Sequence, residues 1–283
     1  MINITGETRL TGLIGRPIKQ SFSPRIHNRA FEYLDLNYLY IPFDVDENNL
    51  KKTVEAMKTL NFAGFNITMP YKEAVMELLD GISQEAKIIG AVNTVVNEKG
   101  EFIGYNTDGK GYVQSLENEG VLIKDKTFVI VGAGGAARSV IVQLALEGAK
   151  QIILLNRTIK AGQNLVDIIT NHLPNLNIEV GELGDENLER AVKKADVLVN
   201  STPLGMYSMR DETIVKNEEI LASNLVVSDL IYNPAKTKLL HQAQNRKCKT
   251  INGLGMLVGQ AAIAFELWTG LPMPTDYIMK TVF

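Results

Sequence analysis

Short apolar runs alternate with longer amphipathic stretches along most of this chain of 283 residues. Such alternation is typical of βα units, which build mainly parallel sheets. In the first third of the chain, the pattern predicts three strands, two helices and one hairpin. These elements are strands at 13–14, 38–41 and 62–67, helices at 24–34 and 47–60, and a hairpin of strands 92–96 and 102–105 turned at 97–100.

The pattern changes after about residue 108. Phe128–Val131 is a continuous apolar run, which is typical of a strand buried on both faces of a sheet. A helix is predicted after it as far as Leu146, and Gly148 is well placed just beyond the end of that helix. Further elements are predicted as strands at 152–155, 197–199 and 225–227 and as an apolar helix at 256–268.

The length of the chain predicts two domains, at roughly 150 residues for each. We expect an α/β protein with a boundary near Asp108 and with C-terminal helices that return to the first domain. The first domain is predicted to comprise residues 1–107 and 255–283 and to be an α/β domain. The second is predicted to comprise residues 108–254 and to be a Rossmann-type, doubly wound parallel sheet.

Charge and cysteine content exclude several classes of protein. The formal net charge is −3 and no block of like charge occurs, so neither nucleic acid nor an anionic membrane is an expected partner. Cys248 is the only cysteine, which rules out an internal disulfide and fits a reducing compartment. Met1–Gly6 resembles no leader, and no apolar run approaches the ~20 residues of a membrane span. We therefore expect a soluble, cytoplasmic protein.

A glycine-rich turn at Gly132-Ala133-Gly134-Gly135-Ala136-Ala137 lies between the buried strand and the helix that follows it. This is the context in which such a turn binds a dinucleotide. Gly132 permits the tight turn, Gly134 lets the backbone approach a pyrophosphate, and Ala137 allows close packing of helix on strand. The amides and the positive dipole end of the helix then bind phosphate. A βα turn that binds no ligand is the structural alternative.

The end of the next predicted strand bears on the kind of dinucleotide. NAD enzymes have an acidic residue there, about 20 residues after the glycines, that binds the ribose hydroxyls. This strand ends instead in Asn156-Arg157-Thr158. A guanidinium can bind a 2′-phosphate with two hydrogen bonds, so the sequence predicts NADP rather than NAD. The alternative is a solvated surface arginine.

The histidines give no support to hydrolytic or metal chemistry. His27, His172 and His241 lie in no metal-binding or triad pattern, and we expect them to be packing or surface residues. The chain has no H-E-x-x-H, C-x-x-C or G-x-S-x-G motif. No metal site is predicted.

Three polar clusters follow predicted strands, and each has a structural alternative. Ser21-Phe22-Ser23-Pro24 could cap a helix or bind a carboxylate, since small hydroxyls beside a helix N-terminus form an anion site. The segments 66–72 and 105–109 follow later strands. Thr68 as a cap, Lys72 as a solvated charge and Asp108 as a turn residue are equally good interpretations of each cluster taken alone.

Taken together, the clusters resemble the motifs of the shikimate dehydrogenase family. The segment 21–24 is similar to its S-x-S-P loop, and 66–72 is similar to its N-V-T-x-P-x-K motif, with Ile67 for valine. The resemblance continues, in order, over nearly the whole chain. Its other motifs are Asn93-Thr94, 106–109, 200–206, 229–234 and 253–257 followed by Gln260.

The resemblance implies a set of substrate contacts and a catalytic pair. The carboxylate of shikimate is expected to contact Ser21, Ser23 and Tyr232. Its ring hydroxyls are expected to contact Thr68, Asn93, Asp108 and Gln260. Lys72 and Asp108 correspond to the catalytic residues of the family, with Lys72 as proton donor and acceptor.

The implied reaction is reversible hydride transfer between NADPH and the C3 carbonyl of 3-dehydroshikimate, which gives shikimate. On this interpretation the first domain binds the substrate and the second binds NADP. The expected cofactor-binding residues are Gly132, Ala133, Gly134, Gly135, Ala136, Asn156, Arg157, Thr158 and Gly253.

Two alternatives remain open at this stage. Segments 239–248 and 267–270 are also similar to the quinate/shikimate branch of the family, so a dual-specificity enzyme that uses NAD or NADP is the nearer one. A non-catalytic dinucleotide-binding sensor on the same fold is the more distant one, because fold does not fix function. The presence of both Lys72 and Asp108 favours an enzyme. Monomer and homodimer are both compatible with the sequence.

Overall fold

The computed structural model describes residues 4–283. Residues 1–3, part of the N-terminal stretch predicted to contain no leader, lie outside the described range. The chain divides into two compact units: the first ends at Thr107 and resumes at Val258–Phe283, and the second comprises Asp108–Leu257. Within residues 4–283, no helix combines the length and the apolar character that a membrane crossing requires.

Residues 4–107 of the first unit contain six strands and three α-helices, with 3₁₀ turns at Glu47–Asn49 and Ala74–Leu78. The strands are β1 (Arg9–Gly15), β2 (Tyr38–Asp44), β3 (Gly64–Ile67), β4 (Gly81–Ile82), β5 (Thr94–Glu98) and β6 (Glu101–Tyr105). The helices are α1 (Ser23–Tyr33), α2 (Leu50–Thr59) and α3 (Gln84–Ile89).

These strands form one mixed sheet in the order β2-β1-β3-β5-β6-β4. The pairs β1–β2 and β1–β3 are parallel, whereas β5 runs antiparallel to both β3 and β6. The predicted hairpin is confirmed: β5 and β6 are joined by Lys99 and Gly100, which both have positive φ, 57° and 95°. Two successive residues with positive φ are what a tight two-residue hairpin turn requires.

The second unit contains strands and helices in regular alternation. Its helices are α4 (Asp108–Asn118), α5 (Gly135–Leu146), α6 (Ile159–Thr170), α7 (Asp185–Val192) and α8 (Lys238–Asn245). Its strands are β7 (Thr127–Val131), β8 (Gln151–Asn156), β9 (Ile178–Glu182), β10 (Val197–Asn200), β11 (Val226–Asp229) and β12 (Lys249–Ile251), with 3₁₀ turns at Tyr207–Met209 and Glu218–Ile220.

The sheet of the second unit has the order β12-β11-β10-β7-β8-β9, and all of its strand pairs are parallel. This is the strand order of the predicted Rossmann-type doubly wound sheet. The order reverses between β7 and β10, and ligands of such sheets bind at the carboxyl ends of the strands beside this reversal. Every residue of β7 is buried, as its continuous apolar run predicts.

Two helices complete the chain, α9 (Leu254–Thr269) and α10 (Thr275–Val282). The second half of α9 packs on the first unit's sheet, where the Trp268 indole Nε1 donates to the Val95 carbonyl at 2.9 Å. In return, the Tyr38 hydroxyl donates to the Trp268 carbonyl at 3.1 Å. A side chain at Gly64 would overlap the Trp268 indole, so glycine is required at this close approach.

Some elements differ from the prediction. The first strand is longer than 13–14, and the helix predicted at 47–60 is a 3₁₀ turn followed by α2. The pattern does not predict β9, whose polar sequence Ile178–Glu182 has no apolar run because the strand lies at the outer edge of the sheet. The short edge strand β12 is missing from the prediction for the same reason. The helices α3, α4, α6, α7, α8 and α10 are likewise not among the predicted elements.

Candidate active site

The topology of the first unit brings several polar segments to one end of its sheet. β1 and β3 are parallel and end side by side, with Ile14 paired to Ile67. β5 runs the other way and begins at the same end, where Thr94 lies opposite both Asn66 and Tyr105 of the neighbouring strands. We call this the Gly15 end of the sheet. The segments that leave or enter it are 16–23, 68–72, 93 and 106–107.

Thr68 and Lys72 follow β3 at the Gly15 end. The Thr68 amide donates to the Ile14 carbonyl at 2.9 Å, which continues the parallel ladder by one residue beyond β3. A side chain on Gly15 would overlap the Thr68 methyl group, so the two segments are in close contact. The Lys72 carbonyl accepts from the Val92 amide at 2.8 Å, which fixes the Lys72 backbone beside the segment that contains Asn93. Both side chains are half-buried.

Asn93 lies in a buried network of side-chain hydrogen bonds. The Asn93 Oδ1 accepts from the Thr107 amide at 2.8 Å, and its Nδ2 donates to the Thr107 hydroxyl at 2.9 Å. The Asn66 Nδ2 donates to the Asn93 carbonyl at 3.1 Å and to the Thr94 hydroxyl at 3.0 Å. The Tyr40 hydroxyl donates to the Asn66 Oδ1 at 2.8 Å. These bonds fix three strand ends relative to one another, because each buried polar group is satisfied by a neighbour.

Ser21 and Ser23 lie at the start of α1, where the predicted S-x-S-P loop enters the helix. The Ser23 amide donates to the Ser21 hydroxyl at 3.3 Å, so the two serines form one compact turn. Ser23 is buried and Ser21 is half-buried. Burial raises the pKa of the Tyr40 phenol, and a hydrogen bond with the Ser23 hydroxyl is the smaller, opposing cause. Ser23 is therefore linked through Tyr40 to the network around Asn93.

Asp108 and Gln260 lie on helices. Asp108 is the first residue of α4 and directly follows Thr107, so the division between the two units falls between these neighbours. Gln260 lies in α9, within the part of that helix that belongs to the first unit. Both side chains are half-buried.

His27 is a packing residue, as expected from the sequence. Its ring has no exposed surface and stacks on Tyr40 with centroids 4.5 Å apart. It also lies 5.0 Å from the Trp268 ring. Burial lowers the pKa of His27 from 6.5 to about 3, so the ring is neutral at physiological pH. Among residues 4–283, no group of three or more His, Cys, Asp or Glu side chains is arranged to hold a metal ion.

In the second unit, the glycine turn lies at the carboxyl end of the sheet, directly after β7. Gly132 has φ +109°, a value that only glycine adopts readily, and its amide donates to the Leu155 carbonyl of β8 at 2.9 Å. A Cβ at Gly132 would lie 2.7 Å from the Ser201 hydroxyl oxygen. By contrast, a Cβ at Gly134 or Gly135 would meet no protein atom within 4 Å. The backbone before α5 is thus packed against the protein at Gly132 and has open space at Gly134 and Gly135. This open space fits a pyrophosphate on the first turn of the helix.

The segment Asn156-Arg157-Thr158 lies at the same end of this sheet, at the end of β8. Val131 is paired with Leu155, so the glycine turn and Arg157 leave from neighbouring strand ends. The Asn156 Nδ2 donates to the Thr158 carbonyl at 2.9 Å and shapes the turn. The Arg157 side chain is exposed, and no carboxylate of residues 4–283 lies within ion-pair distance of it. Its guanidinium is available to an anionic ligand.

Gly253 and Tyr232 lie after β12 and β11, again at this end of the sheet. The Gly253 amide donates to the Ile231 carbonyl at 3.0 Å, and a side chain on Gly253 would overlap the Leu230 carbonyl. Glycine is required here because the two backbones touch. Tyr232 is half-buried, and burial raises the pKa of its phenol, with the nearby Tyr207 as a smaller cause.

The sequence predicts no role for Tyr40, Asn66, Thr107, Asn200 or Asp229, which form the buried polar networks beside these sites. The Asn200 Nδ2 donates to the Asp229 carboxylate at 3.0 Å. A usable signal was present in the pattern: each of these polar residues stands within or just after an otherwise apolar strand. A polar residue in such a position is satisfied by a buried partner in most proteins.

Three family models match the chain in order, and together they include most of its length. They are the shikimate dehydrogenase substrate binding domain at residues 13–95, shikimate / quinate 5-dehydrogenase at 115–254 and the shikimate 5'-dehydrogenase C-terminal domain at 253–283.

Individual relatives match over nearly their full length. A shikimate dehydrogenase (NADP(+)) of Alkaliphilus oremlandii is 67% identical over 280 residues, 99% of this chain and 98% of the relative. The crystal structure of shikimate 5-dehydrogenase from Listeria monocytogenes in complex with shikimate and NAD superposes with a TM-score of 0.95, at 40% identity, 99% of this chain and 98% of that one. A shikimate dehydrogenase in complex with NADP+ superposes with a TM-score of 0.91, at 44% identity, over 99% of this chain and 96% of that one.

Proposed function

Because the chain belongs to the shikimate dehydrogenase family, we propose that it catalyses the reversible, NADP-dependent reduction of 3-dehydroshikimate to shikimate. The observation that supports this most directly is the arrangement at the Gly15 end of the first sheet. Thr68 and Lys72 follow β3 and Asn93 precedes β5 at this end. Both Oδ1 and Nδ2 of the Asn93 amide are hydrogen-bonded.

In this proposal, Lys72 moves the proton of the reaction. As the C3 carbonyl is reduced, its oxygen gains negative charge, and a cationic donor beside it stabilises the transition state. The Lys72 ammonium donates a proton to that oxygen in the direction of reduction and becomes a neutral amine, and this amine accepts the hydroxyl proton in the reverse direction. Asp108 is the second catalytic residue of the proposal, and its carboxylate also accepts a hydrogen bond from a ring hydroxyl of the substrate. NADPH, when bound, supplies the hydride.

The remaining substrate contacts follow from the types of side chain. Ser21, Ser23 and Tyr232 supply hydroxyl donors to the substrate carboxylate. Thr68, Asn93 and Gln260 supply hydroxyl and amide groups, which can both donate to and accept from ring hydroxyls. A site built from such neutral groups rejects analogues that lack a matching hydroxyl, since a buried polar group would be left without a partner.

The second unit supplies the cofactor contacts of the proposal. The backbone from Gly132 to Ala136 binds the pyrophosphate, and Asn156, Arg157 and Thr158 bind the adenosine end, with Arg157 on the 2′-phosphate. Gly253 borders the nicotinamide. The open space above Gly134 and Gly135 and the exposed Arg157 guanidinium both fit such a ligand.

The division of labour and the setting of the enzyme also belong to the proposal. Residues 1–107 and 255–283 bind the substrate, and residues 108–254 bind the dinucleotide. The protein acts on small molecules in the cytoplasm, as a monomer or homodimer. Its single cysteine, Cys248, is buried and unpaired, which fits a reducing compartment.

A second candidate is an enzyme of the same kind that also accepts NAD. The observation that favours it is the Listeria structure, which is 40% identical and holds NAD together with shikimate. The chain's own residues favour NADP, because β8 ends in Asn156 followed by Arg157 and no carboxylate stands there to bind ribose hydroxyls.

A single assay tests the proposal: absorbance at the NADPH band with shikimate and quinate, each against NADP and NAD. We expect the largest kcat/KM for shikimate with NADP. Equal kcat/KM for quinate or for NAD would replace the proposal with the dual-specificity enzyme. No turnover in any of the four combinations, with NADP binding retained, would indicate the non-catalytic sensor.

A further inference from the structure

Asp229, the last residue of β11, is a buried carboxylate that the proposed reaction does not use. Its side chain has no exposed surface. All of its hydrogen-bond donors are neutral, and no lysine or arginine among residues 4–283 forms an ion pair with it. A buried carboxylate without a cation is costly, so such a group persists where its hydrogen bonds organise something specific.

The three donors come from two segments, the end of β10 and the loop that follows β11. Asn200, at the end of β10, donates its Nδ2 to the Asp229 Oδ1 at 3.0 Å. The Ile231 amide donates to the same oxygen at 3.1 Å. The Thr237 hydroxyl donates to Oδ2 at 2.7 Å, and Thr237 is also the N-cap of α8. We call these four residues the Asp229 cluster.

The Asp229 cluster closes a loop around Tyr232. Ile231 stands at one end of this loop and Thr237 at the other, and both are bonded to the same carboxylate. The outside of the loop is held by its neighbour along the sheet: Gly253 donates to the Ile231 carbonyl, and the Asn252 Nδ2 donates to the Ala235 carbonyl at 2.9 Å. The backbone on both sides of Tyr232 is thereby anchored within the second unit.

We propose that Asp229 is a positioning residue that holds the 230–237 loop so that Tyr232 presents its hydroxyl to the substrate carboxylate. This inference rests on the proposed function, because the role of Tyr232 belongs to that proposal. Asp229 itself touches neither substrate nor cofactor in it. Its contribution is the conformation of one loop. Its variants should therefore change KM for shikimate more than kcat.

The experiment is a double-mutant cycle in shikimate oxidation with the full chain and NADP. Asp229→Ala removes both acceptor oxygens, and we expect it to raise KM for shikimate about tenfold or more, with a smaller change in kcat. Tyr232→Phe should raise KM to a similar extent. The double variant should be no worse than the poorer single variant within about twofold, because both changes remove the same contact.

Asp229→Asn is the rescue variant. Its Oδ1 still accepts from Asn200 and Ile231, and its Nδ2 can donate to the Thr237 hydroxyl oxygen, so we expect KM to stay within about threefold of wild type. Val192→Ala is the matched control, a truncation of a buried residue in α7 of the same unit. It should lower the thermal midpoint without a change in KM.

Multiplicative effects in the cycle, or a folded Asp229→Ala variant with normal KM, would overturn the inference. Should Asp229→Ala fail to fold, Thr237→Val removes only the bond to Oδ2, and the same cycle is run with it. Hydrogen–deuterium exchange separates this inference from the proposed function. If wild type does not oxidise shikimate, the function fails, yet faster exchange confined to 230–237 in the Asp229 or Thr237 variant still supports the loop assignment, and unchanged exchange there overturns it.

Discussion

The two units use different parts of the chain to build their candidate sites. At the Gly15 end of the first sheet, the site is made of side chains, and the groups behind them are buried and bonded to one another, as in the chain from Tyr40 through Asn66 to Asn93. In the second unit, the site is made largely of backbone, with Gly132 at a positive φ and the exposed Arg157 as the principal charged side chain.

This difference follows from what each ligand presents. A pyrophosphate is the same in every dinucleotide, so amides at a helix N-terminus suffice to bind it, and one arginine can add selectivity for a 2′-phosphate. A ring with several hydroxyls is distinguished from its isomers only by the pattern of its donors and acceptors. Side chains must then be fixed to within a fraction of an ångström, and a buried hydrogen-bond network does this. Changes to the side chains at the Gly15 end should therefore affect chemistry, whereas changes to the glycine turn and to Arg157 should affect cofactor affinity.

The largest effect is expected for Lys72→Ala. Loss of the proton donor and acceptor should lower kcat by about 10²–10⁴-fold, with a smaller change in KM. The measurement is steady-state shikimate oxidation at saturating NADP. Lys51→Ala, an exposed lysine at the start of α2, is the control and should retain normal kcat. A Lys72→Ala variant with near-normal kcat would remove Lys72 from the mechanism and blur the distinction between the units.

The next effect is expected for Arg157→Ala, and it should fall on affinity alone. Loss of a hydrogen bond to a charged group should weaken NADP binding by about 1.5–3 kcal/mol while NAD binding stays unchanged. The free energy of unfolding should change by less than about 0.5 kcal/mol, because the side chain is exposed. Calorimetric titration with both dinucleotides measures this, with Lys194→Ala as an exposed control. Unchanged affinity for NADP would contradict the assignment.

A pair of glycine substitutions separates folding from binding within the same turn. Gly132→Ala imposes a positive φ of +109° on alanine and brings its Cβ to 2.7 Å from the Ser201 hydroxyl, so it should lower the free energy of unfolding by about 1–3 kcal/mol. Gly134 has φ −84° and open space around its Cβ position. Gly134→Ala should leave the free energy of unfolding in urea within about 1 kcal/mol of the wild-type value. It should weaken the binding of NADP. If Gly134→Ala binds NADP normally, the pyrophosphate does not approach this residue.

The turn at Gly132 and the sheet around it could be predicted from sequence because their causes are local. A positive φ is a property of one residue, and the burial of β7 is visible as one apolar run. The Asp229 cluster and the link from Tyr40 to Asn66 could not be predicted in this way, since their partners are 29 and 26 residues apart and meet only after the sheets form. The edge strands β9 and β12 could not be predicted for a related reason, because a strand at the edge of a sheet needs little apolar sequence.

Two buried titratable groups, one in each unit, extend the comparison to stability. Burial lowers the pKa of His27 in the first unit from 6.5 to about 3. In the second unit, burial raises the pKa of Asp229 from 3.8 to about 6, although hydrogen bonds from Thr237, Ile231 and Asn200 oppose the shift. Both groups favour the neutral form in the folded state, but neutrality means a lost proton for histidine and a bound proton for aspartate. Their effects on stability should therefore have opposite signs with pH.

Below pH 6.5 His27 becomes protonated in the unfolded chain, whereas in the folded chain it becomes protonated only below about pH 3. The free energy of unfolding should fall with decreasing pH across this window, by up to about 1.4 kcal/mol per unit, and His27→Leu should abolish that slope. For Asp229 the folded chain binds the proton more tightly, so its contribution is complete below pH 3.8 and is lost as pH rises to about 6. Asp229→Asn should abolish this second slope. Urea unfolding of each variant at pH 4 to 8 measures both slopes as difference curves against wild type. Between pH 4 and 6 these two difference curves should run in opposite directions. Parallel curves would contradict the buried, neutral state of at least one of the two groups.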